Sequence, residues 1–156
     1  MKLTLLTVGK LKNKSLAELC EDFTQRVGHF FSFRIIEVKE CPVKGAVTID
    51  QSKNKESDAL QEAIPPGAQV ILLDETGKEY TTEKWATLFR QWQNQSVKEV
   101  VFVIGGAYGL SDAIKKRYSE KLALSQMTFT HEMSRYVLLE QIYRVGTILS
   151  GMKYHH

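Results

Sequence analysis

EVVFVIGGAYG, residues 99–109, decides the fold, because a run of β-forming residues ends there on two glycines. The five apolar residues 100–104 do not alternate with polar ones, which is typical of a strand buried on both faces of a parallel sheet. The glycines then allow a tight turn, and Ser111 can cap a following helix. Ligands of open α/β sheets bind at the carboxyl ends of strands, so this turn is a candidate binding site. A connection with glycines for geometry alone is the alternative.

Strand and helix patterns alternate on both sides of this stretch. Strands are predicted at residues 3–8, 33–38, 69–74 and 122–127, and helices at 15–30, 53–64, 81–92, 111–119 and 130–150. Ser15 and Glu18 form a predicted capping box for the first helix. No repeat or linker divides the chain, which predicts one α/β domain over residues 1–156, with a mainly parallel sheet flanked by helices.

The composition is that of a soluble globular protein, with 43% hydrophobic and 25% charged residues. No apolar run approaches the ~20 residues of a membrane span. The first ten residues, MKLTLLTVGK, resemble a strand more than an export signal. Cys20 and Cys41 have no metal-binding spacing, so we expect two free thiols, no bound metal and a cytoplasmic location.

Basic residues are concentrated at the two ends of the chain, although the net charge is only +3. Residues 1–55 contain ten Lys/Arg against six Asp/Glu, and residues 106–156 contain seven against four. The stretch GKLKNK after the first predicted strand has three lysines in five residues. A basic face built from both ends could hold RNA, whereas an ordinary solvated surface is the alternative.

The last predicted helix has two apolar faces. One comprises Leu138, Ile142, Val145 and Leu149, and the adjacent one comprises Tyr136, Leu139, Tyr143 and Gly146. One sheet cannot cover both faces, so the second face predicts a contact in a homodimer.

The recognised catalytic motifs are absent from the sequence. The glycines form GGxxG after the fourth predicted strand, unlike a dinucleotide-binding GxGxxG after the first, and there is no Walker loop or nucleophile elbow. Three strand ends remain, at 73–77, 105–109 and 124–129. They predict a pocket lined by backbone without a nucleophile, so its ligand would carry the reactive group. The residues alone therefore predict a cofactor-binding α/β domain.

Four longer stretches are more specific: LLDETGK from residue 72, FVIGGAYGLS from 102, LALSQMTFTHEMSRYVLLEQIYR from 122 and GMKYHH from 151. Together they resemble the bacterial ribosomal RNA large subunit methyltransferase H family of the knotted SPOUT class. VGKLKNKSL and EDFTQRV extend the resemblance to the first helix. The resemblance implies a C-terminal trefoil knot, a homodimer, and methylation of N3 of a pseudouridine in 23S rRNA within the assembled ribosome. A knotted tRNA methyltransferase and a non-catalytic ribosome-assembly factor are the alternatives.

The resemblance also implies S-adenosyl-L-methionine as cofactor. The positions that match the family's cofactor contacts are Leu73, Gly105, Leu124, Ser125, Gln126, Met127, Thr128 and Phe129. They fall on the three strand ends that the residues alone had indicated.

Methyl transfer to N3 of pseudouridine removes an imide proton, so the reaction requires a general base or a hydrogen-bond acceptor. The candidates near the predicted cofactor loops are His131, Glu140, Tyr154 and His155. Each of the first three has a structural alternative: a helix cap for His131, an ion pair with Arg144 for Glu140, and a packing anchor for Tyr154. Arg135 suits an RNA phosphate, because its guanidinium stays charged.

Overall fold

The computed structural model describes residues 1–152 of the chain, in which five parallel strands form one sheet flanked by helices. The strands are β1 Lys2–Val8, β2 Ser32–Val38, β3 Gln69–Lys78, β4 Glu99–Ile104 and β5 Lys121–Leu122. The helices are α1 Lys14–Gly28, α2 Ile49–Ala63, α3 Thr82–Asn94, α4 Asp112–Arg117 and α5 His131–Leu149. The strand order is β2-β1-β4-β3-β5, and every pairing is parallel, as the sequence predicted.

β1 and β4 form the centre of the sheet, and helices cover both of its faces. Every residue of β1 from Leu3 onward is buried, as is every residue of β4 from Val100 onward. Their register places Leu5 opposite Phe102. Since neighbouring side chains of a strand point to opposite faces, the two strands contribute to two separate cores.

One core lies between the sheet and α1, α3 and α5, and it is rich in aromatic residues. The Phe89 ring lies 5.0 Å from that of Trp92 and 6.1 Å from that of Phe102, between ring centroids. The regularly spaced aromatic residues of α3 therefore fill the core instead of forming a surface for base stacking. The second core lies on the other face, where α2 and α4 contribute Leu60 and Ile114 against Val103.

Side-chain hydrogen bonds shift two helix starts from their predicted positions. Asn13, and not Ser15, caps α1, because the Asn13 Oδ1 accepts the Leu16 N–H at 3.1 Å. α2 begins at Ile49, earlier than predicted, because Thr48 forms a reciprocal capping box with Gln51. Both shifts stay within the loops that precede these helices.

The predicted strand at 122–127 is wrong beyond Leu122, where the chain continues as a loop. Local side-chain bonds replace the strand ladder there, since the Met127 N–H donates to the Ser125 Oγ at 3.0 Å. β3, in contrast, runs through the predicted turn. A Cβ on Gly77 would lie 2.6 Å from the backbone of Leu122, so the absence of a side chain at 77 lets the two strands approach.

The second apolar face of α5 is covered by α1 of the same chain. The rings of Tyr136 and Tyr143 pack edge-on against Phe23, at centroid distances of 5.6 and 5.8 Å. Leu139 is fully buried, and a Cβ on Gly146 would meet the ring of Phe30 at 2.6 Å. α1 therefore covers much of this face within the same chain, while the Tyr136 and Tyr143 side chains stay partly exposed. The interpretation of this face as a dimer contact stays a prediction. No helix within residues 1–152 is both long and apolar enough to cross a membrane.

Candidate functional site

A cleft of about 720 Å³ lies where β3, β4 and β5 end, with the first turn of α5 as its remaining wall. Three predicted segments meet there: the end of β3, the glycine turn after β4, and the loop before α5. Among the predicted cofactor residues, the cleft is lined by Leu73, Gly105, Leu124, Ser125, Met127, Thr128 and Phe129. Gln126 is exposed and is not part of the lining. Within residues 1–152, no cluster of three or more His, Cys, Asp or Glu could hold a metal ion.

The glycine turn presents main chain to this cleft. The Gly109 N–H donates to the Gly106 carbonyl at 3.0 Å, and Gly109 has a φ of +77°, a conformation that favours glycine. A Cβ on Gly105 would lie 2.6 Å from the carbonyl carbon of Gly109. A side chain at 105 would therefore displace the turn itself, which explains why a glycine follows the buried strand directly.

The buried polar face of α2 supports the glycine turn from behind. The Ser57 Oγ accepts the Ser111 N–H at 2.9 Å, and the Glu56 Oε1 accepts the Cys41 N–H at 2.8 Å. The Glu56 Oε2 has no partner among the described residues and packs against Gly106, so a Cβ there would clash with it. Burial raises the pKa of Glu56, despite the opposing hydrogen bond from Cys41. Sequence analysis missed these residues, because α2 has the composition of a polar surface helix.

A buried ion pair closes the floor of the cleft. The Lys115 Nζ lies 2.6 Å from the Asp74 Oδ2, and the Asp74 side chain is only 5% exposed. Burial alone would raise the pKa of Asp74, but hydrogen bonds from Lys115 and Thr76 outweigh it and lower the pKa to about 2. Lys115 therefore differs from its exposed neighbour Lys116, because its ammonium group is paired with Asp74. The sequence, which has three basic residues in a row at 115–117, does not distinguish the two.

His131 is the first residue of α5 and lines the cleft, while Thr130 provides the helix cap. Its ring is half-buried, and burial lowers its pKa below the ordinary value, assisted by the positive charges of Arg135 and Lys12. The imidazole is therefore mostly uncharged at neutral pH. An uncharged ring beside the cleft can accept a proton.

Arg135 lies beneath the surface, where it fastens α5 to the end of β1. The residue is 2% exposed, and its guanidinium donates to the carbonyl of Val8, to the carbonyl of Gly9 at 2.8 Å and to the Glu37 Oε1 at 3.0 Å. These bonds occupy its two terminal nitrogens. The predicted contact with an RNA phosphate is not supported by this placement, because the guanidinium is committed to the protein.

Glu140 lies two and a half turns along α5 from His131 and does not line the cleft. Its Oε1 accepts the Arg144 Nε–H at 3.0 Å, and its Oε2 accepts the Gln141 Nε2–H at 2.6 Å. Glu140 therefore forms the ion pair with Arg144 that was the alternative to a catalytic role. Nothing in the structure supports Glu140 as a proton acceptor. Tyr154 and His155 lie outside the described residues.

The structure is an α/β domain with a ligand-sized cleft at the carboxyl ends of its strands, and comparison with known proteins gives its family. A family model described as "Predicted SPOUT methyltransferase" matches residues 1–155. The chain therefore belongs to the SPOUT methyltransferase family.

Several relatives are similar along their whole length and share the name "Ribosomal RNA large subunit methyltransferase H". The protein from Cytophaga hutchinsonii is 40% identical over 156 residues, which is 100% of both chains. Those from Geobacter metallireducens and Bacteroides thetaiotaomicron are 40% and 39% identical, and each alignment covers 100% of this chain and 99% of the relative.

A solved structure is similar in fold. It is a putative methylase family protein from Neisseria gonorrhoeae, with a TM-score of 0.55 and 12% identity, covering 91% of this chain and 81% of the other.

The ion pair at the floor of the cleft generates a stability prediction. Because the folded pKa of Asp74 is depressed, its contribution to stability is present above pH 4 and is lost as the pH falls towards 2. Lys115→Met should lower the free energy of unfolding by about 2 kcal/mol at pH 7, and the deficit should shrink below pH 4. Urea denaturation at pH 7 and pH 3 measures both effects.

Lys116→Met is the matched control, because Lys116 is the exposed neighbour on the same helix. It should leave the denaturation midpoint within experimental scatter of the wild type. Equal midpoints for the two variants at pH 7 would show that the Asp74–Lys115 pair does not stabilise the fold.

Proposed function

We propose that this chain is an S-adenosyl-L-methionine-dependent methyltransferase that methylates N3 of a pseudouridine in the 23S rRNA of assembled ribosomes. The observation that carries the proposal is the 40% identity over the whole chain to relatives named ribosomal RNA large subunit methyltransferase H. The meeting of seven of the eight predicted cofactor residues in one cleft supports it. A ribosomal substrate would also place the protein in the cytoplasm.

The cleft fits the proposed cofactor in size and chemistry. Its volume of about 720 Å³ lies within the ~300–1,000 Å³ of typical small-molecule sites. The main chain of the glycine turn offers N–H and carbonyl groups, and Leu73 and Leu124 offer apolar surface. When bound, S-adenosyl-L-methionine would supply an electrophilic methyl group on a sulfonium. Leu73, Gly105, Leu124, Ser125 and residues 127–129 would hold it.

The chain's own contribution to the chemical step is proton removal. Pseudouridine N3 carries an imide proton that must leave when the methyl group arrives, so an acceptor must face the cleft. His131 combines the position and the protonation state that this role requires. We therefore assign it as the proton acceptor, with Tyr154 and His155 of the chain terminus as the other candidates.

The proposal includes a trefoil knot formed by the C-terminal segment. The family membership supports the knot. In the structure, the loop before α5 is hydrogen-bonded to β3. The Ala123 N–H donates to the Lys78 carbonyl at 3.1 Å, and the Thr128 Oγ1 donates to the Glu75 Oε2 at 2.8 Å.

The proposed function predicts methyl transfer to ribosomes. With tritiated S-adenosyl-L-methionine, the protein should label ribosomes that lack the modification, and digestion should recover the label as N3-methylpseudouridine. Label on naked tRNA but not on ribosomes would instead indicate the tRNA-modifying alternative. Cofactor binding without transfer to either substrate would indicate a non-catalytic assembly factor.

The assignment of His131 predicts a specific pH dependence. The transfer rate should fall as the pH decreases below 6.5, because protonation removes the acceptor, and His131→Gln should remove this acid limb. The variant should lose about 10²–10⁴-fold in rate. Its affinity for S-adenosylhomocysteine, measured by calorimetry, should change only a few-fold.

His29→Gln is the control, because His29 is exposed at the far end of α1. Removal of residues 154–156 is the competing arm of the experiment. If the truncated chain loses the rate and the acid limb while His131→Gln keeps both, the acceptor belongs to the terminus and His131 only begins the helix.

We also propose that the protein works as a homodimer, with an interface that includes the first turn of α5. Three apolar side chains beside the cleft stay exposed: Met127 is 74% exposed, and Phe129 and Met133 are each 37% exposed. They surround the first turn of α5. An apolar group of this kind is typical of an interaction site.

Sedimentation velocity at micromolar concentration should therefore show a dimer. Met133→Lys should shift it towards monomer, because the charge would be buried on association. Ile49→Lys is the control, since Ile49 is also an exposed apolar residue, at 47%, but lies on α2 across the sheet. A wild-type monomer that methylates ribosomes at full rate would contradict the dimer.

A further inference from the structure

We infer that the RNA is held by a basic rim beside the cleft, formed by Lys10, Lys12 and Lys14 after β1 and by Lys39 and Lys44 after β2. This inference rests on the proposed function, since it takes the substrate to be RNA. It identifies which face of the molecule contacts the phosphates.

The two lysine-bearing segments form one continuous surface. β1 and β2 end in register, with Val8 opposite Val38, so the segments that follow them begin side by side. The Gly9 N–H donates to the Val38 carbonyl at 2.8 Å, which extends the pairing past the strands. The Lys12 Nζ then contacts the Glu40 Oε2 at 2.9 Å and joins the two segments. Five residues distant in sequence are thereby collected at one edge of the sheet.

The basic rim adjoins the cleft directly. The Lys12 N–H donates to the Glu132 Oε1 at 2.7 Å, and Glu132 lines the cleft together with His131. Arg135, one turn further along α5, holds the carbonyl of Gly9 at 2.8 Å. The first turn of α5 is therefore both the wall of the cleft and the anchor of the rim, so an RNA held on the rim has a base within reach of the cleft.

The carboxylates near the basic rim are already engaged. Glu40 bonds the Lys12 ammonium, Glu37 bonds Arg135, and Glu132 accepts the Lys12 backbone N–H. Within residues 1–152, in contrast, the ammonium groups of Lys10, Lys14, Lys39 and Lys44 form no ion pair. Residues 9–14 and 39–44 together contain five lysines against one glutamate, an excess larger than the +3 of the whole chain.

At the opposite edge of the sheet, basic side chains share a carboxylate. There, Lys2 and Arg34 both contact the Glu99 Oε1, at 3.7 and 3.1 Å. Exposed lysines suit the phosphates of an RNA backbone, which position the strand without reading its sequence. We assign the rim to this backbone, with base recognition left to the cleft.

Paired substitutions of equal charge test the basic rim. Lys10→Gln/Lys14→Gln and Lys39→Gln/Lys44→Gln each remove two charges from it. Arg90→Gln/Lys98→Gln removes two exposed charges from the end of α3 and the start of β4, and it is the control. Lys10→Arg/Lys14→Arg keeps the charge and should behave as wild type. Cosedimentation with 70S ribosomes, over a series of salt concentrations, measures binding without requiring catalysis.

Each rim pair should weaken ribosome binding about tenfold at moderate salt and reduce the slope of log affinity against log salt by roughly 0.7–0.9 per lost phosphate contact. Affinity for S-adenosylhomocysteine should stay within twofold. If both rim pairs bind ribosomes as the control pair does, with the same salt slope, the rim does not hold RNA. Failure of the proposed function is a separate result: ribosomes would bind through the rim but receive no methyl group.

Discussion

A strand that is buried on both faces can present chemistry only at its ends, and this constraint governs the rest of the structure. β1 and β4 have no exposed face, because helices cover both sides of the sheet at its centre. The groups that could bind a ligand therefore lie on the loops that follow the strands. Parallel pairing brings those loops to one edge, so the cleft and the basic rim are neighbours as a consequence of topology.

The local part of this arrangement was predictable from the sequence. The unbroken apolar run at 100–104 predicted a doubly buried strand, and the glycines after it predicted a turn that lets main chain face a ligand. Both depend on residues close together in the chain. The prediction that three strand ends meet followed from parallel pairing, which needs only the sequence of strands and helices. The family resemblance added the cofactor and the substrate, which no spacing of residues could supply.

The errors came from contacts between distant residues. Arg135 has the pattern of a surface cation on a helix, yet its partners are Val8, Gly9 and Glu37 on two strands near the start of the chain. The contact of α1 with the second apolar face of α5 was not predicted, because the two helices are more than a hundred residues apart in sequence. Glu56 looked like part of a solvated helix. Its burial depends on the segment around Cys41 and on the turn after β4.

The bond between Arg135 and the carbonyl of Gly9 spans 126 positions of a 156-residue chain. Loops that long close slowly, because the entropy of closing them is lost before any contact compensates for it. The first strands can pair while the chain is still being synthesised. The cleft lacks its last wall, the first turn of α5, until α5 has been synthesised and docks on β1. The site is thus assembled in the last event of folding, and a chain shortened before α5 would have a sheet without a binding site.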